Sequence, residues 1–351
     1  VAVAAHERAI SLRAAGRFAL AERSCRRAIS AYEAAEGGRH PDVANALVEL
    51  GVVLEALDRP RDSAACHRRA RVILRPALAP KDVDPDLVRL DLQARIGLGG
   101  LDRARGALAT ADRAYRTALG QARRRLPPRD PLIAGLLNNL GVLRKAQGRY
   151  TEALVFYRQA LPLLARGDRE ARATLEHNLG GIEHARGRYA QAEPHARQSV
   201  ALRESIRGAD HPAVAADVAA LAAIVEARGR FDEAAALYAR AISVFRRRLG
   251  PRSLELGLGL ASLAALEQQR QRPRRARPLY ARSLAILERH LGRDHADVAM
   301  TVNNLAVLER NAGRAAVARA LFRRAAGSFR RTLGAAHPHT RLARENLNAV
   351  G

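Results

Sequence analysis

The sequence predicts an all-α solenoid of about eight antiparallel helix pairs closed by a C-terminal capping helix. Three observations predict it. A small or turn-forming residue recurs at Gly16, Asp58, Gly106, Gly148, Gly187, Gly229, Gln271 and Gly313, spaced by 42 residues in five of the seven intervals. Columns hold register with this marker in every copy. Five residues on stand Ala21, Ser63, Ala111, Ala153, Ala192, Ala234, Ala276 and Ala318; nine on, Cys25, His67, Tyr115, Tyr157, Ala196, Tyr238, Tyr280 and Phe322; twelve on, Ala28, Ala70, Ala118, Ala160, Ser199, Ala241, Ser283 and Ala325. Apolar content of 48% with 4% aromatic residues and no Trp favours helices packed closely through small side chains. A repeat of this period buries its apolar face only by stacking on its neighbours.

The elements follow in order. Copy one (1–39) carries Arg8 at the place held elsewhere by Leu50, Leu98, Leu140, Leu179, Leu221, Leu263, Leu305 and Leu347. That fits either an exposed terminal helix or upstream sequence packed against it. The chain begins with Val1 already inside this copy, as a non-standard start or a piece of a longer protein would. Copy two (40–80) opens with His40-Pro41. Copy three (84–127), after a longer link through Lys81, opens with Asp84-Pro85 and diverges most. In copy four (130–168) Asp130 is an N-cap with Pro131 at the first helical position. Leu136, Leu140 and Leu143 then share one face, Gly148 breaks the run, and Ala153, Tyr157, Ala160 and Leu161 line the inner face of a second helix. Copies five (169–208), six (210–249, from His211-Pro212), seven (250–291) and eight (293–333, from His295-Ala296) repeat the plan. Pro194 and Pro278 fall early in their second helices, where a missing N–H costs little. The segment 337–351, from His337-Pro338, holds a first helix only and serves as the cap. The chain reads as one continuous array over 1–351.

Composition restricts the function. There are 60 basic against 35 acidic residues, a net charge of +25, and only Lys81 and Lys145 are lysines. Such a chain attracts polyanions non-specifically at low salt, nucleic acid included. With so few aromatics there is no stacking platform for single strands. No apolar run is long enough to span a membrane, and residues 1–20 lack the pattern of a secretory signal, which makes a cytoplasmic protein the expectation. Cys25 and Cys66 read as buried small hydrophobes, since a pair builds no zinc site alone. Enzyme signatures are missing: Gly97-Leu98-Gly99-Gly100 falls inside a repeat helix, and carboxylates are dispersed by the period. No catalytic residue, metal or cofactor is expected.

The stretches NNLGVLRKAQGRYTEALVFYRQAL, HADVAMTVNNLAVLERNAGRAAVARALFRRA and RYAQAEPHARQSVAL resemble tetratricopeptide repeats of the 42-residue, kinesin-light-chain-like kind, and the resemblance covers essentially the whole chain. One slot departs from it. Where the family often has Tyr near the end of the first helix, this chain has Leu12, Leu54, Asp102, Arg144, Glu183, Val225, Glu267 and Glu309, so looser, more polar packing is expected there.

The resemblance implies a right-handed superhelix whose first helices line a concave groove for extended or helical peptides, with Asn in one slot bonding the peptide backbone. Nine residues before the marker that slot reads Glu7, Glu49, Gly97, Asn139, Asn178, Ala220, Ser262, Asn304 and, in the cap, Asn346; the preceding slot adds Asn138, His177 and Asn303. A charge-bearing slot reads Arg13, Glu55, Arg103, Lys145, His184, Glu226, Gln268 and Arg310. An amide ladder satisfies a backbone without demanding a sequence, and adjacent cations favour acidic ligands. The candidate groove is therefore Asn138, Asn139, Lys145, His177, Asn178, His184, Asn303, Asn304, Arg310 and Asn346, concentrated around copies four and five and around copy eight with the cap. His177 and His184, two turns apart, lack a third metal ligand. Arg123 to Arg125, Arg246 to Arg248 and Arg330 with Arg331 close second helices, where cations complement the helix dipole. Arg270, Arg272, Arg274, Arg275 and Arg277 straddle a turn.

The leading expectation is a non-enzymatic interaction scaffold binding an acidic peptide segment of a partner protein. The alternatives are a basic solenoid that binds RNA or another polyanion, and the sensor or docking arm of a larger bacterial signalling ATPase, kinase or protease.

Overall fold

The computed structural model describes residues 1–79, 83–335 and 337–350. The link through Lys81 lies outside them. Among the described residues all regular structure is helical, in two compact units, Val1–Ala171 and Arg172–Gly351. The first unit pairs α1 (Ala2–Ala14) with α2 (Phe18–Glu36), α3 (Pro41–Ala56) with α4 (Pro60–Leu74), α5 (Pro85–Ala104) with α6 (Leu108–Arg125), and α7 (Pro131–Ala146) with α8 (Tyr150–Ala160). The second holds most of α9 (Arg169–Ala185) with α10 (Tyr189–Arg207), then α11 (Pro212–Ala227) with α12 (Phe231–Arg248), α13 (Leu254–Gln269) with α14 (Pro273–Leu291), and α15 (Ala296–Asn311) with α16 (Ala315–Leu333). Helix α17 (Pro338–Asn348) packs on α16.

Each marker residue ends a first helix in the left-handed region, with φ between 55° and 81°. Six are glycines, which enter that region without a Cβ clash, while Asp58 (φ 55°) and Gln271 (φ 57°) are not. The next residue donates its N–H five positions back, as in Arg59 to Leu54 (2.9 Å) and Arg314 to Glu309 (3.0 Å). This satisfies a carbonyl the helix leaves over, in the geometry of a Schellman motif. Among the described residues, six of the first helices and the cap start on side-chain caps. Asp84 and Asp130 accept from backbone N–H groups two residues on (2.8 and 3.0 Å), and the Nδ1 atoms of His40, His211, His295 and His337 do the same at 3.1–3.4 Å.

The core is the columns. All small residues five and twelve places after the marker are buried, and the ring column between them is at most 4% exposed. A further column, seven before the marker, is restricted to Ala9, Gly51, Gly99, Gly141, Gly180, Ala222, Ala264 and Ala306. The rings explain it: a Cβ at Gly51, Gly99 or Gly141 would sit 2.4–2.6 Å from His67, Tyr115 or Tyr157. At Gly180, opposite Ala196 instead of a ring, the helices close until a Cβ would meet the Ala196 backbone N at 3.2 Å.

Several expectations change. Leu161 is only half-buried, because α8 stops at Ala160 and Pro162 forces a 3-10 turn over Leu161–Leu163. Pro194 and Pro278 lie inside α10 and α14, one turn deeper than expected, so each removes a helix hydrogen bond. Cys25 is buried, and burial pushes its thiol up to about 12, but Cys66 is half-buried. Arg8 is exposed and lines a surface cleft of about 530 Å³ with Leu12, Leu20, Arg23 and Arg27.

The slot expected to be loose is tight instead. Arg144, Glu183, Glu267 and Glu309 are each 5% exposed or less. Arg144 meets Asp112 of the preceding copy at 2.6 Å and Glu152 at 3.2 Å. Glu309 meets Arg277 of its preceding copy at 2.9 Å, with Arg314 on its other oxygen. The two interfaces place the same pair of positions in contact with opposite sign. Where the slot is apolar, as at Leu54 and Val225, the acid sits on the preceding copy (Glu22, Glu193), and the arginine after the marker (Arg59 at 2.8 Å, Arg230 at 2.9 Å) reaches it.

Candidate functional site

In the first unit the first helices of four consecutive copies share a cleft of about 430 Å³. Its walls are Arg13 of α1, Val48, Glu49, Val52 and Glu55 of α3, Gln93, Ile96, Gly97, Gly100 and Arg103 of α5, and Asn139 of α7, over His67 and Tyr115. Glycines at 97 and 100 keep the floor bare, and Val52 presents 39% of its surface there. Arg13 and Glu49 are paired at 2.5 Å across copies, which fixes one rim.

The charge-bearing slot is held by the rings beneath it. Tyr238 donates its hydroxyl to Glu226 (3.0 Å) and Tyr280 donates to Gln268 (2.9 Å). His67 Nε2 lies 3.3 Å from Glu55, and the Arg310 guanidinium lies 5.6 Å from the Phe322 centroid. Burial raises Glu226 above the ordinary carboxylate range despite the tyrosine bond. In copy four the slot holds Lys145, which accepts nothing, and the buried Tyr157 hydroxyl has no partner among the described residues.

The ten predicted groove residues are all on first helices. In the first unit Asn139 lines the cleft, Asn138 is half-buried beside it in sequence, and Lys145 is exposed at the end of α7. In the second unit His177 is committed to the fold. Its Nδ1 is 2.8 Å from Asp217, a buried carboxylate that also accepts from Ser199 (2.8 Å) and Arg203 (2.7 Å). Burial opposes ionisation of Asp217, but these hydrogen bonds outweigh it and hold its carboxyl below the usual range. Asn178 is half-buried, and His184 packs its ring 5.4 Å from that of Tyr189. Asn303, Arg310 and Asn346 come together: Asn346 Nδ2 donates to buried Asn303 (3.5 Å), and Arg310 donates to Asn346 (3.4 Å). Asn304 is half-buried on the same helix.

The cleft in copies one to four was missed as a site. Its polar members, Arg13, Glu49, Glu55 and Arg103, stand in the same columns as the predicted groove residues, so the signal was present, but the asparagine column reaches the cleft only at Asn139. Other charges turn out to be inter-helix staples. Arg247 and Arg248 hold Asp210 (2.5 and 2.7 Å), Arg331 holds Asp294, and Arg270 and Arg277 reach Asp232 and Glu309 of neighbouring copies. No group of three or more potential metal ligands exists among the described residues, and no described helix is long and apolar enough to cross a membrane.

The tetratricopeptide-repeat family matches at residues 1–75, 91–166, 171–247, 215–289 and 256–331. Among solved structures, a Rap protein complexed with competence and sporulation factor has a TM-score of 0.62 at 12% identity, covering 99% of this chain and 97% of that one. A tetratricopeptide repeat protein from Parabacteroides merdae reaches 0.51 at 17% identity, covering 88% and 98%. Kinesin light chain-like repeats from Podosopora anserina are 21% identical over 58% of this chain and 97% of theirs, with a TM-score of 0.48. Among curated proteins, none matches the sequence.

Proposed function

Because the chain belongs to the tetratricopeptide-repeat family, a family of protein-interaction scaffolds, we propose that it is a non-catalytic scaffold that binds a peptide segment of a partner on its first-helix face. The observation that carries this reading is the cleft of about 430 Å³ shared by α1, α3, α5 and α7. It combines amides at Gln93 and Asn139 with an apolar strip of Val48, Val52 and Ile96. Those are the elements an extended peptide needs: partners for its backbone and a surface for alternate side chains. In the second unit the cluster of Asn303, Arg310 and Asn346, flanked by Asn304, offers the same chemistry, with Asn178 and His184 further along that unit. Lys145, His184 and Arg310, together with the net charge of +25, favour an acidic segment.

The test is a peptide array of acidic, neutral and basic sequences probed with the full chain, followed by solution titration of the hits. Replacing Val52 by Arg and Asn139 by Leu is expected to weaken the hits about tenfold, roughly 1.4 kcal/mol, without unfolding the chain. Hits that ignore both changes would remove this cleft from consideration, and hits without acidic bias would remove the charge preference.

A further inference from the structure

A second cleft of the first unit, about 320 Å³, lies on a different surface, where the ends of α4 and α6 meet the first half of α5. Among the described residues five guanidinium groups line it, from Arg71, Arg75, Arg95, Arg124 and Arg125, against one carboxylate, Asp91. Asp91 is 5% exposed and receives Nε of Arg71 at 3.0 Å and Nε of Arg95 at 2.5 Å. Both bonds use Nε, so the Nη groups of these two arginines have no protein partner among the described residues. Arg125 is anchored through Nη1 to the Leu78 carbonyl at 3.1 Å. Arg75 and Arg124 form no ion pair among the described residues. Gln121 adds an amide donor to the wall.

The other arginine clusters at second-helix ends behave differently. Arg247 and Arg248 are neutralised by Asp210, and Arg331 by Asp294, each acid standing directly before a first-helix cap. In copy three that position is Val83, before the cap Asp84. Arg124 and Arg125 at the end of α6 therefore meet no such acid, and they face the cleft together with Arg71, Arg75 and Arg95.

We infer that this cleft is an anion site for a compact ligand carrying two or more linked phosphates. Guanidinium forks match phosphate oxygens bidentately, and Asp91 fixes two of the forks in advance, which lowers the ordering cost of binding. A single phosphate leaves part of the formal charge of the lining unmatched; a condensed phosphate meets it. Among the described residues the apolar members of the lining are Leu78, Val88 and Leu92, with no aromatic ring to stack a base, so recognition rests on the phosphates and not on a nucleoside.

The experiment is calorimetric titration of the full chain with tripolyphosphate, orthophosphate and ATP at about 150 mM salt, where long-range attraction is screened. The expected result is one saturable site for tripolyphosphate, about tenfold tighter than orthophosphate, with ATP no tighter than tripolyphosphate. The Arg75→Ala/Arg124→Ala variant, whose side chains form no ion pair among the described residues, should lose about tenfold in affinity, with its circular dichroism and melting unchanged. The Arg246→Ala/Arg289→Ala variant removes the same charge elsewhere and should bind as the unaltered chain does. Equal losses in the two variants would assign binding to net charge and overturn the site. So would absence of saturation, or ATP binding tenfold tighter than tripolyphosphate.

Discussion

At the scale of single residues, backbone conformation and side-chain chemistry divide the work at the marker. Six copies use glycine at a φ near 70–80°, while Asp58 and Gln271 adopt the same conformation with a Cβ present. A left-handed non-glycine residue costs about 1–2 kcal/mol, part of which glycine returns through its larger unfolded-state entropy. Gln271→Gly is therefore expected to raise the unfolding free energy by about 0.5–1 kcal/mol in urea titration, and Gly187→Ala to lower it by about 1 kcal/mol. An unchanged midpoint for both would show that the turn carries no strain. The marker was legible in the sequence because it is periodic and because few residue types tolerate that φ. The restriction at Gly51, Gly99 and Gly141 was not: small residues in a helix look ordinary until the His67, Tyr115 and Tyr157 rings are seen against them.

At the scale of helices, copies recognise their neighbours through charge. Arg144 is 2% exposed and depends on Asp112 across the interface. Asp112→Ala leaves a buried guanidinium with Glu152 as its one remaining carboxylate and the Gln147 amide oxygen (2.7 Å) beside it, and is expected to cost about 3 kcal/mol in chemical unfolding. Adding Arg144→Leu, which restores the apolar residue that copy two has at Leu54, should recover most of that loss. If the single change costs nothing, the pair is not structural. Sequence reading places these charges in the correct slot but takes them for a loosening, because one copy alone supplies a local partner, Glu152 for Arg144 or Arg314 for Glu309, and not the ion that closes the interface. That ion is supplied about 32 residues earlier, in the preceding copy, and only stacking brings the two together. The candidate cleft was legible in the same partial way. The columns facing out from the first helices were identifiable, yet His177, counted among them, is taken by Asp217 from the next copy.

At the scale of the molecule, inter-copy carboxylates make stability depend on acid. Burial would raise Glu193, but hydrogen bonds from Arg197, Arg230 and Arg228 dominate and bring it down to about 2 from 4.5. Glu309 and Asp217 are lowered by hydrogen bonds in the same manner. Each folded-state value lies below its unfolded one, so the stabilisation is complete above the ordinary carboxylate range and is lost as pH falls from about 4.5 towards 2. The melting temperature is expected to fall steeply through that window, and Glu193→Gln to be less stable near neutrality with a shallower fall. A melting temperature flat from pH 5 to about 2.5 would mean these pairs contribute little. The opposed signs of the Arg144–Asp112 and Glu309–Arg277 contacts have a consequence for ancestry. A copy lifted from the fourth position and inserted after the seventh would set Arg144 against Arg277, and the eighth set after the third would bring Glu309 to Asp112. Duplication of a lone unit is thus penalised at its new border, whereas a block inherited with its neighbour keeps its contacts; the chain can lengthen by phrases more readily than by single words.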